Sequence, residues 1–281
     1  MIILDGKMKK MVIFNELKEE VSKLNEKPKL TVIQIGDNHA SNIYIEQKRK
    51  MAEYIGYDFN LLKLAENTSE DELINHVNKL NRDITVNGIL IQLPLPKDIN
   101  YKKVLNMIDP VKDVDGLTDI NTGKLVHKKN GIYSCTPAGI IELLDEYNID
   151  LVGLKTVVIG RSDLVGKPLA NMLINRDATV TVCHSKTKDL DSYTKEADLL
   201  VVAVGQAKLI KENMVKKGAI VIDVGINYTE DGTCGDVDFE KVSKIASYIT
   251  PVPGGVGQMT VAMLAKNVMK AYELQKDRKD L

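Results

Sequence analysis

Residues 156–173 read TVVIGRSDLVGKPLANML. Four β-branched residues end on a glycine, a short polar turn follows, and an apolar helical pattern begins at once. This is the layout of a strand feeding a helix through a tight turn. Gly160 and Ser162 stand in the first two glycine places of a dinucleotide-binding turn, and Gly166 lies one residue past the third. In such a turn the first glycine makes the bend, the second admits a pyrophosphate, and the third lets the helix pack closely on the strand. A serine in the middle place prevents the closest backbone approach, although its hydroxyl can itself donate to a phosphate. An ordinary tight strand-to-helix turn has the same spacing, so the stretch fixes a fold class before it fixes a ligand.

Outward from this turn, strand-length apolar runs alternate with helical patterns. The second half continues with ATVTVCH (178–184), LLVVAVG (199–205), AIVIDVG (219–225) and SYIT (247–250), giving five strands with TVVIG. The first half offers LTVIQIG (30–36), FNLLKLA (59–65) and GILIQLPLP (88–96), with helical stretches near 41–55 and 69–82. Such alternation predicts an α/β protein of two α/β domains, the second a Rossmann-like doubly wound parallel sheet. The boundary is expected within TPAGIIELLDEY (136–147), giving a first domain over 1–140 and a nucleotide-binding domain over 141–258. The last stretch, 259–281, carries Val261, Leu264, Ala265 and Val268 at helix spacing and is expected to return to the first domain, leaving a cleft between the halves.

Composition narrows the partners. A chain of 281 residues with 44% hydrophobic content is large enough for two cores. Lys+Arg 38 against Asp+Glu 39 leaves a formal charge of -1, which gives no general field for nucleic acid or an anionic membrane and points to small molecules. Cys135, Cys183 and Cys234 are widely spaced, so neither a disulfide framework nor a zinc site is expected, and a cytoplasmic setting fits. The N-terminus lacks the order of a signal peptide, and no run is long enough to span a bilayer.

Three polar features break the apolar patterns. SNIYIEQKRKMAEYIG (41–56) reads as a helix with Ser41 near its N-cap and Gly56 near its end. At ~100° per residue, Ser41, Tyr44, Lys48, Met51 and Ile55 share one stripe, with Lys48 in its middle. Either this lysine snorkels past Tyr44 to water, or it is desolvated and becomes a usable proton donor or acceptor. Gln92 lies inside an apolar strand broken by Pro94 and Pro96, so its amide needs a buried partner or a ligand. KDVDGLT places Asp113 and Asp115 in a loop, where a carboxylate either caps a turn or serves a ligand. In the nucleotide half, the strand after the turn ends in CHSKT (183–187) without the acidic residue that holds an NAD ribose. Arg161, Ser185 and Lys186 are instead available to a 2′-phosphate, which favours NADP, although Lys186 also reads as part of a solvated turn.

Taken in order, S-x-x-Y-x-x-x-K from Ser41, Q-L-P-L-P, K-D-V-D-G, C-T-P-x-G, G-R-S-x-x-V-G-K-P, H-S-K-T, D-V-G-I-N, G-D-V and P-V-P-G-G-V-G resemble the bifunctional methylenetetrahydrofolate dehydrogenase/methenyltetrahydrofolate cyclohydrolase family from Ser41 to Gly257. The resemblance implies NADP-dependent oxidation of 5,10-methylenetetrahydrofolate and hydration of the methenyl product to 10-formyltetrahydrofolate. It implies Lys48 as the central catalytic group, Gln92 positioning it, Tyr44 stacking on folate and Asp115 pairing with the pterin. Leu93, Pro94, Pro253, Gly254 and Gly255 would line the folate site. NADP would be held by Gly160, Arg161, Ser162, Val165 and Gly166, by His184 and Ser185, by Val204 and Gly205, and by Asp223, Val224, Gly225 and Ile226. A homodimer is also implied, while the chemistry needs no metal and no cluster of metal-ligating residues is visible in the sequence. The chain departs from the family pattern at Thr118-Asp119, Ser134 and Gln258, the last beside the expected folate loop. A dehydrogenase of another small substrate on the same two-domain plan, or a non-catalytic nucleotide-binding module, are the rival readings. The first does not explain why Tyr44, Lys48, Gln92 and Asp115 match together, and the second is favoured only if Lys48 is solvated and remote from the cleft.

Overall fold

The computed structural model describes residues 1–230 and 232–279. In chain order the first elements are β1 (Ile2–Ile3), α1 (Gly6–Ser22), β2 (Lys29–Ile35), α2 (His39–Ile55), β3 (Asp58–Leu64), α3 (Glu70–Arg82) and β4 (Gly88–Ile91). Three helices follow, α4 (Tyr101–Leu105), α5 (Asp119–Val126) and α6 (Cys135–Glu146). Then come β5 (Lys155–Ile159), α7 (Gly166–Ile174), β6 (Thr179–Cys183), α8 (Leu190–Thr194), β7 (Leu199–Val202) and β8 (Ile220–Asp223). The chain continues through β9 (Asn227–Thr229), β10 (Gly232–Cys234), α9 (Phe239–Val242), β11 (Tyr248–Ile249) and α10 (Val256–Lys279).

Two compact units result: Met11–Cys135 with the chain from Val261 onward, and Met1–Lys10 with Thr136–Thr260. The first has a parallel three-stranded sheet in the order β3-β2-β4. Ile33 and Ile35 of β2 and Ile89 and Ile91 of β4 recur every second residue and pack with Leu73 and Val77 of α3, so one face of the sheet forms a core with that helix. α3 carries the strongest local signals in the chain. Ser69 and Glu72 form a reciprocal capping box, three acids fill the first turn, and Lys79 and Arg82 lie in the last.

The second unit has a six-stranded sheet, β1-β11-β8-β7-β5-β6, with every neighbouring pair parallel. β7 is buried throughout, as a central strand covered on both faces must be, and its sequence LLVV is accordingly apolar without alternation. Counted from β5, the order of the five strands expected from sequence is 2-1-3-4-5. Its reversal between β5 and β7 is the point at which open α/β sheets bind ligands beyond the strand C-termini. The sixth strand is β1, whose Ile2 and Ile3 pair with Tyr248 and Ile249. Residues 1–10, expected in the first domain, therefore belong with the nucleotide unit, because the backbone groups of this short segment find their partners there. The last helix does group with the other unit from Val261 onward, and it is buried around most of its circumference between Met259 and Tyr272.

Candidate active site

α2 begins earlier than its sequence pattern implies. Asn38 is the N-cap, its side chain accepting from Ser41 N at 3.1 Å, while Gly56 ends the helix at φ 96°. Ser41 is buried in the first turn, and its hydroxyl donates to Leu93 O at 3.1 Å, tying α2 to the end of β4. Ile45, Met51, Ala52 and Ile55 are buried, Lys48 is half-buried among them, and Tyr44 is exposed at the stripe's margin. Lys48 does not run to water. Its Nζ donates to Gln92 Oε1 at 2.8 Å, and Gln92 Nε2 donates to Leu93 O at 2.7 Å. The buried amide of Gln92 thus has its partners, one of them the misplaced lysine. Burial pushes the Lys48 pKa down, and the nearby carboxylate of Asp115 only partly offsets this. Leu93 joins Pro94 through a cis peptide bond immediately beyond this contact.

The two loop aspartates take different parts. Asp113 is fully buried and serves the chain itself: it accepts from Gly116 N at 3.0 Å, Thr118 N at 2.9 Å and Asn121 Nδ2 at 3.0 Å. Asp115 accepts among the described residues only a long contact from the Cys135 thiol, at 3.8 Å. Desolvation raises its pKa to about 6, against the pull of Lys48. Its oxygens remain available to donors from outside the chain. Cys135 sits beneath it with a thiol pushed well up by burial, and Asn267 of α10 braces the loop. The Asn267 amide donates to Val114 O at 2.8 Å and Tyr133 O at 2.9 Å. Sequence reasoning quoted Cys135 without giving it a role and missed Asn267. The signal for Asn267 was the one that flagged Lys48, a polar residue within an apolar helix face.

In the nucleotide unit, Gly160 has φ 122°, and a Cβ there would stand 2.4 Å from Ala203 O. A Cβ on Gly166 would stand 2.1 Å from Gly160 O, so this glycine lets α7 start against β5. Ser162 Oγ accepts from Val165 N at 3.2 Å and Gly166 N at 3.4 Å, covering the first amides of α7. Arg161 is exposed beside it. After β6, His184 and Thr187 close a turn in which Lys186 N donates to His184 Nδ1 at 3.1 Å, leaving the Ser185 and Lys186 side chains exposed. Arg161, Ser185 and Lys186 thus leave exposed donors around this turn, and no acid stands at the end of β6.

At the ends of β7 and β8 the backbone of Val204, Gly205, Val224, Gly225 and Ile226 follows the strands. The side chain of Asp223 turns inward, however, accepting from Gly225 N at 3.0 Å, Asp236 N at 2.9 Å and Val237 N at 2.9 Å. Burial lifts its pKa to about 6. Asp236, quoted only as part of a motif, is fully buried and receives the amides of Val204, Gly205 and Gln206. Pro253 follows a cis peptide bond, Gly254 has φ 114°, and Lys7 N donates to Gly254 O at 3.1 Å. Gln258 Oε1 accepts from Lys10 Nζ at 2.5 Å, so this departure from the family pattern has a partner at the start of α1. Thr118 caps α5, and Asp119 exchanges hydrogen bonds with Asn106 at 2.8 and 3.1 Å. Ser134 is buried.

Among the described residues no group of His, Cys, Asp and Glu is placed to hold a metal ion, and no helix is long and apolar enough to cross a membrane. The tetrahydrofolate dehydrogenase/cyclohydrolase catalytic domain matches residues 4–115, and the NAD(P)-binding domain of the same family matches residues 134–276. A bifunctional protein FolD from Ligilactobacillus salivarius is 52% identical over 275 residues, covering 96% of each chain. The solved bifunctional FolD methylenetetrahydrofolate dehydrogenase/cyclohydrolase from Campylobacter jejuni is 49% identical with a TM-score of 0.95, covering 98% of this chain and 99% of that one. The Trypanosoma brucei methylenetetrahydrofolate dehydrogenase-cyclohydrolase, solved with NADP and an inhibitor, is 37% identical with a TM-score of 0.91, covering 97% of both chains. Matches that span both units, at such identity and over nearly the full length, place the chain in the tetrahydrofolate dehydrogenase/cyclohydrolase family.

Proposed function

We propose that the protein oxidises 5,10-methylenetetrahydrofolate to the methenyl form with NADP and hydrolyses that product to 10-formyltetrahydrofolate. The observation that carries this reading is the Lys48 Nζ–Gln92 Oε1 contact of 2.8 Å, with the lysine half-buried and its pKa lowered. A neutral amine held in place can accept a proton from the water that attacks the methenyl carbon. The positive charge of that substrate further disfavours the ammonium form. Gln92 holds Nζ in register, and Ser41 and Leu93 fix the strand end that carries Gln92. Asp115, ionised above a pKa of about 6, presents two acceptor oxygens to the amino and ring N–H groups of the pterin. Tyr44 presents an exposed ring for stacking, and Leu93 and Pro94 are assigned to the same folate site.

NADP supplies the hydride acceptor, and the protein's part is to hold and orient it. Gly160, Ser162, Val165 and Gly166 are assigned to its phosphates, Arg161, His184 and Ser185 to the 2′-phosphate end, and Val204, Gly205, Val224, Gly225 and Ile226 to the remainder. The NADP-bound Trypanosoma brucei relative and the missing acid after β6 support NADP over NAD. The inward carboxylate of Asp223 leaves only its backbone for a cofactor contact. Pro253, Gly254 and Gly255 as folate contacts, the homodimer and the cytoplasmic location rest on the family resemblance. Supplying methylenetetrahydrofolate and NADP and following the NADPH and methenyl absorbance bands tests the reading. NADPH must accumulate, and added methenyltetrahydrofolate must decay faster than in buffer. Absence of both changes overturns it.

A further inference from the structure

We infer that Asp236 is a positioning residue for the cofactor, its buried carboxylate shaping the β7 end, which the proposed function assigns to the part of NADP beyond its phosphates and which we give to the nicotinamide ring. Three successive amides converge on it: Val204 N and Gly205 N on Oδ2 at 2.8 and 2.9 Å, and Gln206 N on Oδ1 at 2.8 Å. Asn227 Nδ2 adds a fourth bond to Oδ1 at 2.9 Å. Consecutive amides turned toward one point form a nest of the kind that binds anions, and here the anion belongs to the chain. Because these N–H groups are already used, this strand end does not hold a phosphate through its backbone. It offers carbonyl oxygens and the bare face of Gly205, where nothing lies within 4 Å of the place a Cβ would occupy. Such a surface suits a flat heterocycle whose carboxamide can donate to carbonyls.

Asp236 is fixed in its turn. Its own amide and that of Val237 donate to the two oxygens of Asp223, each at 2.9 Å. A Cβ on Gly225 would meet Asp236 Oδ1 at 2.1 Å, and one on Gly235 would meet Asp223 Oδ2 at 1.8 Å. Each carboxylate therefore occupies the space of a missing side chain on the other's loop. The end of β8 places Asp236, and Asp236 places the end of β7.

Asp236→Asn keeps the volume but turns an amino group toward backbone donors, so at least one amide loses its acceptor. Calorimetric titration with NADP alone should show binding weakened by about tenfold, the loss expected for one charge-assisted hydrogen bond. The KM for NADP should rise in parallel, while the KM for methylenetetrahydrofolate and the rate of methenyltetrahydrofolate hydrolysis, which uses no nicotinamide, stay at parent values. NADP affinity within twofold of the parent overturns the inference, as does a hydrolysis rate that falls in proportion to the affinity. If Asp236→Asn fails to fold, Asn227→Ala removes one donor of four and should weaken NADP binding by about threefold; unchanged binding there is equally decisive against it. A parent that binds NADP but oxidises no methylenetetrahydrofolate overturns the proposed reaction alone, and the titrations still decide Asp236.

Discussion

Replacing Gln92 by Leu removes the acceptor of the Lys48 Nζ bond at 2.8 Å while keeping a similar volume at the end of β4. The fold should tolerate it: Gln92 N still donates to Ile33 O at 2.9 Å, and Leu93 O still accepts from Ser41 Oγ at 3.1 Å. A hydrogen bond to an ammonium contributes about 1.5–3 kcal/mol, against about 0.5–1.5 kcal/mol for one from a neutral amine. The difference, about 1–1.5 kcal/mol, corresponds to roughly a tenfold rise in the ratio of amine to ammonium at a given pH. Burial already pushes the lysine down, and losing an acceptor that favours the cation pushes it further in the same direction. If the amine is the proton acceptor in hydration, the acidic limb of the pH–rate profile must move to lower pH. The plateau should also fall, because Nζ loses the group that orients it. The assay is decay of methenyl absorbance across a pH series, with dehydrogenase turnover as a control for folded enzyme. A profile superimposable on the parent's, or one displaced to higher pH, refutes the role given to this pair.

Arg161→Ala should raise the KM for NADP more than that for NAD, read from initial rates with each nucleotide; a parent equally efficient with NAD would contradict the cofactor assignment. Asp115→Asn should weaken folate binding by about tenfold or more in a direct titration and impair both reactions. The same variant should be more stable than the parent at neutral pH. A carboxyl raised to about 6 binds its proton more tightly folded than unfolded, so its stabilising effect is complete below the unfolded value and is lost as pH rises through 6. The gain should be on the order of 2 kcal/mol, or a few degrees in Tm, and should shrink as the solution is acidified. Thermal scans at several pH values that show no such convergence would remove the assigned shift.

What the sequence disclosed follows from how local each signal is. β7 is LLVV without a polar residue, and β5 and β8 carry the apolar runs VVI and IVI, because these central strands are covered on both faces, and they read directly. β1 did not read, since two residues carry no period and its partner β11 lies at the far end of the chain. The hairpin β9–β10 was missed because its strands are short and largely exposed. Lys48 and Gln92 each stood out as polar residues in apolar patterns. That they touch depends on how α2 is laid against β4, which no local pattern records. Asp113 and Asp115 are indistinguishable as letters; only the donors around them separate a turn residue from an available carboxylate. Asp223 illustrates the reverse case, placed at a strand end where a ligand is expected yet occupied by three backbone amides.

Lys48→Met removes the proposed proton acceptor itself. The substitution keeps much of the buried stem and removes the amine, so loss of activity cannot be attributed to a large cavity. With the fold intact and NADP still bound at parent affinity in a titration, methenyltetrahydrofolate hydrolysis should be abolished, while the dehydrogenase reaction is reduced but measurable. Hydrolysis at the parent rate in Lys48→Met would contradict the account, leaving the lysine a partly covered side chain with no part in the chemistry.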